Sequence, residues 1–170
     1  VVIVYTPERL FNSSLDVLNE KQRIELLNHL KNKGENPYYK IEVEKANTIL
    51  VNSIKEIKKS INLSIPSNKI KLYLIFDAEK LCYPNQEAAN ALLKILEEPN
   101  ENHLFILVTS NLNKMIDTVK SRCISIYFNN IEHKKLEKFI VDKNQIDNNK
   151  AKIISKISMG DITYAESLIN

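Results

Sequence analysis

The sequence predicts an α/β fold of the doubly wound kind, in which helices cover both faces of a parallel β-sheet. Two observations predict this class. A short, β-branched run at 1–5 has the composition of a buried strand, the apolar runs at 70–76, 104–110 and 123–128 have that of strands buried on both faces, and amphipathic stretches with helical spacing alternate with them. After residue 128 the apolar spacing becomes purely helical, so a small helical domain is expected beyond a boundary near residue 130.

The first half of the chain is predicted to hold two strands and two helices. The strand at 1–5 leads into a helix over 13–33, which Gly34 is expected to stop. Residues 38–43 alternate like a second strand. A second helix begins at Asn47, a candidate N-cap, and its apolar side chains recur at steps of three and four residues: Leu50, Ile54, Ile57 and Ile61.

The second half is predicted to hold three further strands, at 70–76, 104–110 and 123–128, which makes the sheet five-stranded. A helix that opens at Pro84 and ends before Pro99 joins the first two of these strands. The helical domain is then expected to contain three helices, at 131–142, at 146–158 and after Gly160.

The composition excludes several classes of protein. A hydrophobic fraction of 44% and a charged fraction of 26% are typical of a globular domain, and no apolar run approaches the ~20 residues that span a bilayer. There is no basic-then-apolar leader, so a cytoplasmic location is expected. Cys82 and Cys123 lie far apart and form no C-x-x-C pair, which predicts reduced thiols rather than a zinc site.

Two adjacent carboxylates, Glu97 and Glu98, precede Pro99 in the amphipathic segment ANALLKILEEP. Neighbouring residues of a helix point in different directions, so these two groups do not converge as an acid–base pair would. We interpret them as the polar end of a helix rather than as catalytic groups.

Residues 75–128 resemble the nucleotide-binding domain of bacterial DNA polymerase III clamp-loader subunits, which are AAA+ proteins of the P-loop type. Three motifs carry the resemblance in this order and at this spacing: ANALLKILEEP, FILVTSN and SRC. Weaker similarity extends back to residue 1, and residues 154–169 resemble the start of the small helical lid domain of that family. The resemblance implies an AAA+ domain at 1–130, an incomplete lid domain at 131–170 and no C-terminal collar domain.

The phosphate-binding loop of this family is degenerate in the matching segment, 6-TPERLFNSSL-15. The family has Gly-Pro-x-Gly-x-Gly-Lys-x-Thr there, and its backbone N–H groups hold the phosphates. Pro7 is kept, but Arg9 and Phe11 replace glycines that leave room for phosphate. Asn12 replaces the lysine and cannot supply its cation. Thr6 takes the position of the first glycine, and Ser14 takes the position of the magnesium ligand.

The acidic motif of the family is also incomplete. Members that hydrolyse ATP end the third strand with Asp-Glu, which serve the magnesium ion and the attacking water. In one register Phe76 takes the first position and Asp77 the second; in the other, Asp77 is the metal ligand and Ala78 replaces the base. One carboxylate is missing in both registers, so we expect no ATP hydrolysis by this chain and no bound cofactor or metal.

The tripeptide 121-SRC-123 is intact. The resemblance implies that Arg122 reaches the γ-phosphate of ATP held by a neighbouring subunit, as an arginine finger, with Ser121 positioning it and Cys123 packing behind it. A planar, permanently charged guanidinium suits this role. On position alone, an arginine before a strand is often a surface ion-pair partner. Residues 109–111 match a polar region near the γ-phosphate in active relatives, and here they are interpreted as a cap on the strand end.

A lost ATP site with a retained finger resembles the delta-prime type of subunit. The resemblance implies a non-catalytic part of a DNA-directed DNA polymerase holoenzyme, in a hetero-oligomer with ATP-binding gamma or tau subunits and delta, which loads a sliding clamp on primed DNA. The four-cysteine zinc module of many such subunits has no counterpart at 31–37. Two alternatives stay open: an ATP-hydrolysing, gamma/tau-like subunit with a divergent phosphate loop, and an interaction protein unrelated to replication.

Overall fold

The computed structural model describes residues 2–5, 8–9, 20–39, 46–63 and 69–169. The chain divides into two compact units. The first comprises Val1–His29 and Ile41–Ser125, and the second comprises Leu30–Lys40 and Ile126–Asn170. The division between His29 and Leu30 falls inside a single helix, which runs from Glu20 to Glu35.

The described elements are, in chain order, five strands and seven α-helices. The strands are β1 (Val2–Tyr5), β2 (Glu8–Arg9), β3 (Ala46–Thr48), β4 (Lys71–Ile75) and β5 (His103–Leu107). The helices are α1 (Glu20–Glu35), α2 (Val51–Ile61), α3 (Glu87–Glu97), α4 (Asp117–Lys120), α5 (His133–Asn144), α6 (Asn148–Ile157) and α7 (Ile162–Ser167). Two 3₁₀ turns follow β4 and β5, at Ala78–Cys82 and Leu112–Lys114.

The predicted parallel sheet is present, with three strands in the order β1-β4-β5. Val2 lies opposite Leu72, and Leu72 lies opposite Leu104. The short strands β2 and β3 form a separate antiparallel pair. Three strands among the described residues, rather than five, therefore share the parallel sheet.

Among the residues whose burial is described, the core of the first unit lies against one face of this sheet. Tyr73 and Ile75 are fully buried, and the rings of Tyr73 and Phe105 stack with centroids 4.7 Å apart. Helices α2 and α3 bring Ile57 and Leu92 to the same cluster, where both are fully buried. The amphipathic spacing that predicts these two helices therefore corresponds to their buried sides.

The other face of the sheet differs from the expectation of strands buried on both sides. Leu104, Ile106 and Val108 are 50%, 40% and 41% exposed, and Leu74 is half-buried. The order β1-β4-β5 follows the chain in one direction. Because crossovers between parallel strands are nearly always right-handed, such an order places the connecting helices on one face. Among the described residues, the connecting helices therefore cover only one face of the sheet.

Residues 123–128, predicted as a strand, form none. They have the apolar alternation of a strand but no ladder partner among the described residues. Four of their side chains are largely exposed: Ile124 at 95%, Ile126 at 76%, Tyr127 at 76% and Phe128 at 90%. The prediction of a strand buried on both faces is therefore wrong here, because an apolar run forms a strand only where a neighbouring backbone is available to pair with it.

Three predicted helix ends were placed wrongly. Helix α2 begins at Val51, and the predicted N-cap residue, Asn47, lies within β3 instead. Helix α3 begins at Glu87 rather than at Pro84, and Gly34 lies inside the last turn of α1 instead of stopping it. Of the strand predicted at 38–43, Tyr38 and Tyr39 are not in a strand, and the remainder lies outside the described residues.

The second unit contains the three predicted C-terminal helices. Leu136, Ile140 and Ala151 of α5 and α6 are fully buried in its core. Asp147 and Asp161 cap α6 and α7 by accepting hydrogen bonds from backbone N–H groups of the first turn. Tyr38 joins this unit, since its ring packs edge-on against Phe139 with centroids 5.4 Å apart.

No described helix is both long enough and apolar enough to cross a membrane.

Candidate functional site

Arg122 follows the single-turn helix α4 in a tight turn. The N–H of Arg122 donates to the carbonyl of Val119 at 3.1 Å, and the N–H of Cys123 donates to that of Lys120 at 3.2 Å. These bonds continue the turn of α4 through the tripeptide 121-SRC-123, so the backbone that carries the guanidinium is held in a hydrogen-bonded turn.

The guanidinium of Arg122 has acceptors on two different elements. Nη1 donates to the carbonyl oxygen of Thr118 at 2.9 Å and lies 3.5 Å from Oγ of Ser121. Nη2 donates to Oε1 of Glu97 at 2.5 Å. The side chains of Arg122 and Glu97 are 34% and 45% exposed, so this ion pair lies at the surface.

The neighbours of Arg122 in the tripeptide have separate contacts. Oγ of Ser121 donates to the carbonyl of Thr118 at 3.1 Å, the same oxygen that Arg122 binds. Cys123 is partly buried against the apolar core of the first unit. Desolvation raises the pKa of the Cys123 thiol, which favours its neutral form and a packing role over a nucleophilic one.

The acidic motif lies at the carboxyl end of β4. Asp77 follows half-buried Phe76 and has a left-handed backbone (φ 48°), and its carboxylate lies 3.4 Å from Nζ of Lys80. The next residue, Ala78, is fully buried, and its N–H donates to the carbonyl of Val108 at 2.9 Å. In the register that makes Ala78 the missing base, that position therefore points its methyl group into the core.

Glu79 lies beside the acidic motif and was not singled out from the sequence. Its Oε2 accepts a hydrogen bond from Oγ1 of Thr109 at 2.5 Å, and the same Oγ1 accepts from the N–H of Asn111 at 3.0 Å. These groups follow β4 and β5, whose carboxyl ends meet at one edge of a parallel sheet, where α/β proteins usually bind ligands. The feature of the sequence that could have identified Glu79 is its position as a second carboxylate, two residues after Asp77.

Most of the predicted phosphate loop lies outside the described residues, namely Thr6, Pro7, Phe11, Asn12 and Ser14. The backbone of Arg9 belongs to β2 and lies opposite Ala46 in the antiparallel ladder with β3. An extended, paired backbone is not the glycine-rich turn whose consecutive N–H groups point at a phosphate.

Among the described residues, no three His, Cys, Asp or Glu side chains are grouped closely enough to hold a metal ion. At the carboxyl ends of β4 and β5, the carboxylates of Asp77 and Glu79 already have partners, Lys80 and Thr109.

The chain matches the family described as "DNA polymerase III, delta subunit" over residues 12–132. It is 33% identical over 134 residues to DNA polymerase III subunit gamma of Buchnera aphidicola subsp. Schizaphis graminum, an alignment that covers 76% of this chain and 36% of that protein. It is 36% identical over 92 residues to subunit delta' of Escherichia coli K12, with 53% and 27% covered. Subunit delta' of Bacillus subtilis 168 is 36% identical over 73 residues, with 43% and 21% covered.

The fold resembles that of a gamma subunit-related protein from Thermotoga maritima, with a TM-score of 0.50 and 23% identity over 92% of this chain and 53% of that one. The alignments with the three sequence relatives span only 21 to 36% of the length of those proteins. The motifs ANALLKILEEP, FILVTSN and SRC lie within the matched segment, residues 12–132. The chain therefore belongs to the DNA polymerase III delta-subunit family and is a subunit of the clamp-loader type.

Proposed function

We propose that the chain is a delta-prime-like clamp-loader subunit that does not hydrolyse ATP and that supplies Arg122 to the ATP site of a neighbouring subunit. The observation that carries this proposal is the surface position of the Arg122 guanidinium, 34% exposed, on a hydrogen-bonded turn. A guanidinium that stabilises charge on a transferring phosphoryl group has to be reachable from outside its own subunit.

The residues around the acidic motif support the absence of hydrolysis. A hydrolytic site requires one carboxylate for magnesium and a second group that orients water. The carboxylate of Asp77 lies beside Lys80, Ala78 is buried, and the carboxylate of Glu79 accepts a hydrogen bond from the hydroxyl of Thr109. None of these three positions presents a carboxylate without a partner for a magnesium-bound water.

The partners follow from the same proposal. The neighbour that receives Arg122 is an ATP-binding gamma or tau subunit, the assembly also contains delta, and the complex loads a sliding clamp on primed DNA in the cytoplasm. Related chains named gamma, tau and delta' of DNA polymerase III support such an assembly. The rest of the proposed architecture is an AAA+ domain followed by a lid domain from residue 131, with contact to DNA made through the complex.

Replacing Arg122 by alanine in the reconstituted complex tests the function. We expect the steady-state ATPase turnover of the complex to fall about ten-fold or more, because the transferring phosphoryl group loses its guanidinium. Lys120→Ala is the matched control, since it removes a cation from the same helix that is paired with Asp117, and it should leave turnover nearly unchanged. Equal turnover of the Arg122 variant and the wild type would contradict the proposal.

One observation favours a second function, that of an ATP-hydrolysing gamma-like subunit. Among the relatives named above, a gamma subunit and a tau subunit are each aligned over 76% of this chain, whereas the two delta' subunits are aligned over 53% and 43% of it. The two functions differ in whether this chain itself binds ATP, and binding of ATP with magnesium therefore separates them.

A further inference from the structure

Two of the three motifs that define this chain meet in space. Glu97 is the last residue of α3 and belongs to the segment ANALLKILEEP, whereas Arg122 belongs to the tripeptide 121-SRC-123. They are 25 residues apart in sequence, yet Oε1 of Glu97 lies 2.5 Å from Nη2 of Arg122. The glutamate that we interpreted as a solvated helix end therefore has a specific partner within the same compact unit.

The geometry restricts the guanidinium without burying it. Nη2 is held by the end of α3 through Glu97, and Nη1 is held by the carbonyl of Thr118 on α4. A guanidinium has five N–H donors in one plane, and these two contacts do not use all of them. A lone surface arginine samples many rotamers, whereas acceptors on two separate elements fix both the plane and the direction of this group.

The electrostatic setting also favours a cation at this point. The C-terminal end of a helix carries partial negative charge from its unpaired carbonyl groups, and Glu97 adds a carboxylate there. The N–H donors of Arg122 that these contacts leave unused remain available for an anion. Glu97 and the carbonyl of Thr118 orient the guanidinium much as the hydrogen-bond partners of a metal ligand orient that ligand.

We propose that Glu97 is a positioning residue for Arg122: its carboxylate fixes the orientation in which the guanidinium is presented to the phosphate of the neighbouring subunit. This inference rests on the proposed function of Arg122 and adds a role for a residue of the ANALLKILEEP segment. Glu97 does not touch the nucleotide; it acts through the arginine alone.

The test compares Glu97→Ala and Glu97→Gln in the reconstituted complex. Alanine removes the acceptor, and we expect turnover at saturating ATP to fall about five-fold or more, because misplacing a catalytic group by an ångström is costly. Glutamine keeps an acceptor oxygen in place, so it should restore turnover to within about two-fold of wild type. The melting temperature of the subunit and the KM for ATP should change little, since an exposed ion pair contributes little to stability.

Glu98→Ala is the matched control, because it makes the same change of charge one residue away. Glu98 is exposed and has no hydrogen bond or ion pair in the described part of the chain. This variant should behave as wild type. Equal losses in the Glu97 and Glu98 alanine variants would overturn the inference, since they would indicate a general charge effect.

The double variant separates this inference from the proposed function. If Glu97 acts only through the guanidinium, adding Glu97→Ala to Arg122→Ala should cause no further loss of turnover. A further loss would overturn the positioning role. Normal turnover in Glu97→Ala together with slow turnover in Arg122→Ala would overturn the inference alone, whereas normal turnover in Arg122→Ala would overturn the proposed function and the inference with it.

Discussion

The ion pair between Arg122 and Glu97 holds a cation at the surface at low energetic cost. With side chains 34% and 45% exposed, a pair of this kind contributes about 0.2–1 kcal/mol to stability. A phosphate that offers bidentate hydrogen bonds forms a stronger contact with a guanidinium. The carboxylate can therefore orient the group without competing strongly for it when a phosphate is present.

The residue next to it, Cys123, yields a prediction about thiol reactivity. Desolvation raises the pKa of this thiol, so we expect iodoacetamide to label it more slowly in the folded protein than in urea at the same pH, because the thiolate is the reacting form. Labelling of a Cys82→Ser variant, which retains one thiol, measures the rate by mass spectrometry. Equal rates in the folded and unfolded states would contradict the prediction.

The raised pKa of Cys123 also makes the stability of the folded protein depend on pH. Because the folded state binds the proton of Cys123 more tightly than the unfolded state, its stabilising effect is complete below the ordinary thiol pKa. The effect is lost as the pH rises through the higher pKa of the folded state. Urea unfolding at alkaline pH should therefore show a smaller difference between wild type and Cys123→Ala than it does at neutral pH.

At the scale of elements, the turn between α6 and α7 depends on a glycine. Gly160 has φ +89°, and an added Cβ would lie 2.5 Å from the carbonyl oxygen and 2.8 Å from the nitrogen of Ile131. The N–H of Ile131 donates to the carbonyl of Gly160 at 3.3 Å. A side chain at this position is unfavourable both for the backbone angle and for the space available.

We predict that Gly160→Ala lowers the free energy of unfolding by more than about 1 kcal/mol, since the native angle is incompatible with alanine and two backbone atoms must move. Gly34→Ala is the control: Gly34 lies inside α1 with nothing within 4 Å of an added Cβ, and alanine there should stabilise by about 0.5–1 kcal/mol. Urea unfolding followed by circular dichroism measures both. Similar effects of the two substitutions would be inconsistent with this account.

At the scale of the whole molecule, the order β1-β4-β5 bears on where a nucleotide could bind. In doubly wound sheets the ligand lies at a switch point, where the strand order reverses and two helices diverge. The described strands contain no reversal, and β1 lies at the edge of their sheet. Within the described sheet, the carboxyl end of β1 therefore has a parallel neighbour, β4, on one side only.

We predict that the chain does not bind ATP in the presence of magnesium. The altered loop residues, the partnered carboxylates after β4 and the edge position of β1 among the described strands all disfavour a phosphate cradle. Isothermal titration calorimetry of the protein alone should show no saturable heat, with an ATP-binding clamp-loader subunit as the positive control. Saturable, magnesium-dependent binding would favour the gamma-like alternative.

Local sequence patterns determined the α/β character of the fold and most of its described elements, but not the number of strands in the parallel sheet or the coverage of its two faces. Apolar runs identified β1, β4 and β5, and spacing of three and four residues identified α2, α3 and the C-terminal helices, because burial on one side leaves a periodic trace in the chain. Motif spacing likewise identified the family and singled out Arg122.

Only the tertiary structure decided which strands pair and which side chains meet. Residues 123–128 have the pattern of a strand but no partner, and one face of β5 is exposed, because pairing and coverage depend on elements distant in sequence. The contact of Glu97 with Arg122 has the same origin: the packing of α3 and α4 brings two helix ends together, and no local pattern records the distance between them.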